Sequence, residues 1–321
     1  MTVSRCRCLG AALIIACIFR TLELAAQDSH IRLPAADVER LMREGPITPL
    51  AGEGSRFEGD RTQHVLVRFA ADTAFEVKWA EAPPGGQTFN NQPRYEVAAY
   101  ELQKLFLDEP DYVVPPTVLR MVPLSQYRQR APAADPTWND ASSVLGVLQY
   151  WTEGVTGKDV FDERRAERDS VYARHLGDLN ILTYLIRHGD SNDGNVVISS
   201  DSASPRLFAV DNGVAFASPP SNRGTKWREI RVKRLPGRTV ERLRKIDQEL
   251  LVRALGVLAQ YELRTGEFAA APPSENVNAR NGVRRSGSVL QLGLTSAEIN
   301  DVRERLEGLL KAVDKGKLKT F

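Results

Sequence analysis

Between residues 74 and 80 apolar and polar positions alternate strictly. Phe75, Val77 and Trp79 fall on one side and Glu76 and Lys78 on the other, the period of two that marks a half-buried strand. His64–Phe69 reads as a second strand, and the short polar link Ala71-Asp72-Thr73 joins the two into a hairpin. Helical spacing takes over in a short segment, Ala35–Glu44, and in a longer one, Tyr95–Leu107. In the longer one Val97, Ala98, Tyr100, Leu102, Leu105 and Phe106 form a broad apolar face broken by Glu101. Loops rich in Pro, Gly and Asn are expected over 82–93 and 131–142. Val113–Val122 passes through Pro115-Pro116 into a strand-like run, and Val144–Trp151 is an unbroken apolar run expected to be a buried strand.

The second half reads as mostly helical. Leu176–Arg187 has the composition of a buried helix, and Thr239–Leu263 carries a long helical period. Short strands are expected at Val196–Ile198 and Leu207–Val210. Ala269–Gly287, rich in Pro, Asn and Gly, is expected to be mobile. Thr295 and Glu298 stand at capping-box spacing and open a last helix, with Lys315, Lys317 and Lys319 as its solvated end. Strands in front and helices behind predict an α+β chain. A small β-rich lobe, 27–151, would be joined to a larger, mostly helical lobe, 152–321, with a cleft between them.

The first 26 residues stand apart from this pattern. Arg5 and Arg7 precede the apolar stretch Cys8–Phe19, which is too short to span a bilayer, and the small residues Ala25 and Ala26 follow. This is the form of an export signal, so the chain is expected in the periplasm or outside the cell, with no transmembrane span once the signal is gone. Ile14-Ile15-Ala16-Cys17 offers a rival cleavage that would leave a lipid anchor on Cys17. Removal of 1–26 lowers Lys+Arg from 43 to 40 (Arg5, Arg7, Arg20) and Asp+Glu from 41 to 40 (Glu23), leaving a formally neutral chain. Nothing then steers it to nucleic acid or an anionic membrane. All 3 cysteines lie in the same segment, so neither a disulfide framework nor a thiolate metal site is expected.

The chemistry concentrates in two places. In His188-Gly189-Asp190-Ser191-Asn192-Asp193-Gly194-Asn195, between a helix and a strand, Asp190 precedes Asn195 by five positions, the spacing of a kinase catalytic loop. There an Asp takes the proton of an attacking hydroxyl, and an Asn oxygen ligates a cation bridging phosphates. Asp211, at the end of the apolar run Phe208-Ala209-Val210 and before Asn212-Gly213, stands where a second cation ligand is needed. A hairpin between Asn195 and Asp211 would bring both oxygens together, and Mg²⁺ needs few protein ligands. Polar turns share both compositions. In the front half, Lys78 in mid-strand can reach the phosphates of a nucleotide, with Glu96 in the following helix as its partner. Gly52 and Gly54, with Ser55, could form a loop over those phosphates.

Four stretches resemble the secretory-pathway kinases of the Golgi casein kinase and four-jointed type. They are Glu76-Val77-Lys78, Arg94–Leu102, Val113-Val114-Pro115-Pro116 with Arg120, and the two loops just described. HipA-type and phosphoinositide kinases resemble the chain more loosely. The resemblance implies a two-lobed protein-kinase-like fold that uses ATP and Mg²⁺ or Mn²⁺ and phosphorylates a hydroxyl on a protein, sugar or lipid. It implies Asp190 as the catalytic Asp, Asp211 as the metal ligand, Lys78 as the phosphate-binding Lys and Glu96 as its ion-pair partner. Asn195 matches the wider superfamily, with Asn192 and Asp193 as substitutes. Two departures stand out: Ser191 follows the catalytic Asp where the family has Arg, and the disulfides of that family could not form here once residues 1–26, with all 3 cysteines, are removed. Two other readings stand beside this one: an inactive pseudokinase that acts as a nucleotide-binding or interaction scaffold, and a metal-dependent hydrolase using Asp190, Asp193 and Asp211. The second has no His at ligand spacing among His30, His64, His175 and His188.

Overall fold

The computed structural model describes residues 30–53, 62–190, 192, 194–201, 204–219 and 221–321. The 1–26 segment with its three cysteines therefore lies outside the described residues, as does Gly54. The chain is mixed α+β, with eight helices and four sheets among the described residues.

After α1 (Ala35–Glu44) come β1 (Thr48–Glu53), β2 (Thr62–Ala70) and β3 (Thr73–Glu81). α2 (Pro93–Gln103), β4 (Thr117–Pro123), the single turn α3 (Leu124–Tyr127) and β5 (Ser143–Tyr150) follow. The five strands form one antiparallel sheet in the order β1-β2-β3-β5-β4, with Lys78 level with His64 on β2 and Gln149 on β5. The alternation along β3 is realised as read. Phe75, Val77 and Trp79 are buried with Val65, Val67 and Phe69 of β2 and with Val38 and Met42 of α1, Phe69 stacking on Phe75 at 4.5 Å. The other face of the sheet is covered by α2, whose Val97, Ala98 and Tyr100 join Leu145 and Val147 of β5 in the larger core. With helices on both faces, all of β5 is buried, which is why its sequence is apolar without alternation. Each such buried aliphatic side chain stabilises the fold by roughly 1.5–3 kcal/mol. The Pro115-Pro116 step is fixed from α2: Gln103 Oε1 accepts from the backbone N–H of Val113 and Val114 (both 2.8 Å), and its Nε2 donates to Val114 O.

β6 (Val155–Thr156), α4 (Glu163–Arg168), α5 (Ser170–Leu185), β7 (Val196–Ser199) and β8 (Leu207–Ala209) come next, and β6-β7-β8 make a small antiparallel sheet. Asp169 caps α5 by accepting from Tyr172 N at 3.0 Å, and the helix is buried on most sides. β9 (Arg234–Leu235), α6 (Gly237–Leu243) and α7 (Gln248–Leu255) follow.

Here the structure departs from the reading of a helical rear half. The helical period over 239–263 is broken into α6, α7 and then a strand, β10 (Ala259–Arg264). The Pro/Asn/Gly-rich segment 269–287 is built into β11 (Glu267–Ala271) and β12 (Val283–Ser286), with β13 (Val289–Leu292) completing a four-stranded sheet β11-β10-β13-β12. Two buried glutamines fix its connecting loop: Gln260 Oε1 accepts from Ser274 N and Oγ, and Gln291 Oε1 accepts from Val277 N. This sheet packs on the first one. Ser142 N donates to Gly266 O at 2.7 Å, Phe268 N donates to Ser143 Oγ at 2.9 Å, and Phe268 meets Trp138 edge-on. The last helix, α8 (Ser296–Asp314), opens with both bonds of the expected capping box, Glu298 N to Thr295 Oγ1 and Thr295 N to Glu298 Oε2. The Lys-rich end is more than a helix terminus, because β14 (Lys319–Thr320) pairs in parallel with β9. No helix among the described residues is long and apolar enough to cross a membrane.

Candidate functional site

Three separated segments meet at one amine. Lys78 Nζ, on the α2-facing side of β3, donates to Glu96 Oε1 at 2.8 Å, to Asp211 Oδ1 at 3.3 Å and to Val210 O at 3.5 Å. Pro93 starts α2 and places Glu96 in its first turn. The second oxygen of Glu96 accepts from the backbone N–H of Asn212 at 2.9 Å, so one carboxylate ties β3 to the segment that follows β8. The side chains of Lys78 and Glu96 are 11% and 7% exposed, whereas that of Asp211 is 49% exposed, so the trio opens to solvent on the Asp211 side. Burial lowers the Lys78 pKa, but the two carboxylates outweigh it and hold the amine charged, its pKa above the ordinary value. Burial is also the main influence on Glu96. It raises the pKa to about 7 against the pull of Lys78, with Asp211 adding to the rise. For Asp211 burial is opposed by Lys78, and the balance falls below the usual carboxylate range.

The 188–195 loop is built onto this trio from the end of α5. Arg187 turns the chain with a left-handed φ of 54°, and His188 N bonds back to Thr183 O at 2.9 Å. The His188 ring is buried and faces Asp211 O at 3.1 Å. A carbonyl can only accept, so Nε2 carries the proton of the neutral ring and Nδ1, which has no partner among the described residues, does not. Burial lowers the pKa of this ring, although its contacts with Asp211 pull the other way. Asp190 lies two residues on and is buried. Its Oδ1 accepts from Ser221 Oγ at 3.0 Å, and its carbonyl accepts from Asn195 Nδ2 at 3.0 Å. Asn195 O accepts from Val210 N at 3.0 Å, which extends the β7–β8 ladder by one step, so the expected hairpin forms and its open end presents Asn195 beside the Asp211 segment.

Lys78, Glu96 and Asp211 are therefore in direct contact. Asp190 and Asn195 are bonded to each other and joined to the Asp211 segment through His188 and Val210. Gly52 lies within strand β1, opposite Val65, and not in a loop. A side chain there would run into the Arg130 guanidinium. The β1–β2 connection that holds Gly54 and Ser55 is outside the described residues, as are Ser191 and Asp193. Arg120 donates to Met42 O and Gly45 O, closing the end of α1, and takes no part in the site. His188, read from sequence as a residue with no ligand role, and Ser221, not singled out at all, both belong to the constellation. Adjacency to Asp190 was a usable signal for His188; Ser221 lies 31 residues beyond Asp190 and had none.

The donor set suits a hard divalent cation. Asn195 spends its Nδ2 on Asp190 O and leaves Oδ1 without a donor among the described residues, and the half-exposed Asp211 carboxylate is the second oxygen. No group of three or more His, Cys, Asp or Glu among the described residues is placed to hold a metal alone, so a cation here would draw its remaining ligands from phosphate and water oxygens. No protein-family model matches the sequence, and no curated protein matches it.

Proposed function

We propose that the chain is a phosphotransferase with a two-lobed, kinase-like arrangement that moves a phosphoryl group from ATP to a hydroxyl acceptor. The small lobe would be the five-stranded sheet with α2, and the larger lobe would be centred on α5 and the 188–213 loops. The observation that carries the reading is the Lys78 amine held between Glu96 and Asp211 at 2.8 and 3.3 Å. A permanently charged, positioned amine is what a polyphosphate requires, and a nearby carboxylate open to solvent is what its counter-cation requires.

In this reading Lys78 binds the phosphates and Glu96 fixes its direction. Asp211 and Asn195 would hold Mg²⁺ or Mn²⁺, which supplies charge neutralisation on the phosphate oxygens. His188 holds the Asp211 backbone in place through its Nε2–H. Asp190 orients the acceptor hydroxyl and takes its proton as the new O–P bond forms and the bond to the leaving diphosphate breaks. Ser221, bonded to Asp190 Oδ1, holds that carboxylate still.

Thermal unfolding tests this. ATP with Mg²⁺ or Mn²⁺ at a hundredfold over Kd is expected to raise Tm by about 5 °C, with neither ligand alone doing so. A shift from metal alone would favour the hydrolase, and no shift with any combination would remove the nucleotide reading. Nucleotide binding without phosphate transfer to any protein, sugar or lipid acceptor would identify the pseudokinase scaffold.

A further inference from the structure

At the N-terminal end of α5, away from the Lys78 trio, the chain forms a cavity of about 220 Å³ that is open to solvent on one side. Its apolar wall comes from Phe161, Ala166, Ala173 and Leu176. α5 is 16 residues long, about 24 Å, and carries the 188–195 loop at its other end, so this space is distinct from the proposed phosphotransfer site. An apolar cavity of about 150 Å³ is already enough to take up benzene, so this one has room for an aromatic ring or a six-carbon chain.

Its charged wall is one-sided. Arg168, Arg231, Lys233 and Arg234 give +4, Glu163 and Glu167 give −2, and the difference is +2. Both acids are engaged by Lys233, at 2.9 and 3.8 Å. Arg231, like Arg168 and Arg234, has no ion-pair partner among the described residues. Its guanidinium sits in the corner of an edge-to-face pair, 3.9 Å from the centre of the Phe161 ring and 4.6 Å from that of Trp227, the two rings being 6.1 Å apart. The two rings thus hold the guanidinium from adjacent sides, and its N–H groups have no hydrogen-bond or ion-pair partner among the described residues. The direction of such a group is set by its stacking, and its planar fork matches a two-oxygen anion. The neighbouring Arg234 is likewise stacked, on Phe321 at 4.8 Å.

We infer that this cavity binds a small organic acid, with the apolar body against Phe161, Ala173 and Leu176 and the carboxylate on Arg231. The inference does not rest on the phosphotransfer reading.

The test uses the full chain, labelled with ¹⁵N, and follows the indole N–H of Trp227, assigned by Trp227→Phe. Hexanoate, hexan-1-ol and hexylamine are titrated in parallel. Hexanoate is expected to saturate the signal with a Kd at least about tenfold below that of the alcohol, as a charge-assisted contact to a guanidinium implies, and the amine is expected to bind weakest. Arg231→Gln should erase the preference for the acid and leave the alcohol binding as before. Ala173→Leu should fill the space and abolish all binding. Equal affinities for the three compounds, an acid preference that survives Arg231→Gln, or no saturable change in the wild-type chain would each overturn the proposal. Should Ala173→Leu fail to fold, the Arg231 variant still decides.

Discussion

Arg94 grips Glu298, 204 residues away in sequence, with both terminal nitrogens of its guanidinium, at 2.6 and 2.8 Å. The hydroxyl of Tyr95 donates to the same carboxylate, and Arg94 also reaches Gln87 Oε1 and Gly293 O. The start of α2, and therefore Glu96, is thus fixed by the start of α8. A buried pair of this kind is costly to break on one side only, because the survivor keeps an uncompensated charge. Glu298→Ala is expected to lower stability by about 3–5 kcal/mol in denaturant titrations. The double change Arg94→Met with Glu298→Leu should lose less than either single change. A double variant as unstable as the sum of the singles would show that the two residues are not energetically coupled.

The two carboxylates of the site divide binding from turnover. Asp211→Asn should abolish the Tm shift with ATP and Mn²⁺. Asp190→Asn should keep that shift while lowering turnover by about 10²–10⁴-fold. Equal loss of binding in both would contradict the separate roles assigned to them.

Lys78→Met leaves Glu96 and Asp211 facing each other without a cation. Because Glu96 already titrates near 7 with the amine present, its removal pushes that pKa higher still. The variant is therefore expected to be much less stable than wild type at pH 8, by roughly 3 kcal/mol, and the gap should narrow at pH 5, where one carboxyl is protonated. Paired unfolding curves at the two pH values measure this directly.

Asp178 on α5 should shape the pH profile of the whole fold. Burial raises its pKa from 3.8 to about 7, while the Thr239 hydroxyl, bonded at 2.6 Å, partly offsets the rise. The folded chain holds a proton that the unfolded chain gives up. This contribution is full below pH 3.8 and is lost as pH rises through 7. His175 works in the opposite sense. Burial lowers its pKa to about 3, so the stability tied to its neutral ring is complete above 6.5 and falls away toward 3. Asp178→Asn is expected to flatten the decline in stability between pH 5 and 8 without altering the acid side. An unchanged slope in that window would mean Asp178 is ionised in the fold.

Much of the first sheet and most of the site could be read along the chain because their signals are local. The alternation around Lys78 sets its face, and the spacing from Asp190 through Asn195 to Asp211 survives in the β7–β8 hairpin. The sheet at 259–292 was illegible for the opposite reason. β11 reads Glu-Phe-Ala-Ala-Ala, with little strand preference of its own, and becomes a strand by pairing with β10 and packing on β4. Its loop is held by Gln260 and Gln291, polar residues whose burial only the assembled sheet reveals. The Arg94–Glu298 contact has no local signal at all.

The packing of β11 on β4 has a consequence for synthesis. β4 is an edge strand, and the chain that lies against it is made almost 150 residues later. A nascent chain emerging as far as β5 has every strand of the first sheet, yet one flank stays open to other chains until residue 271 is free of the ribosome. That interval is when a holdase would matter most.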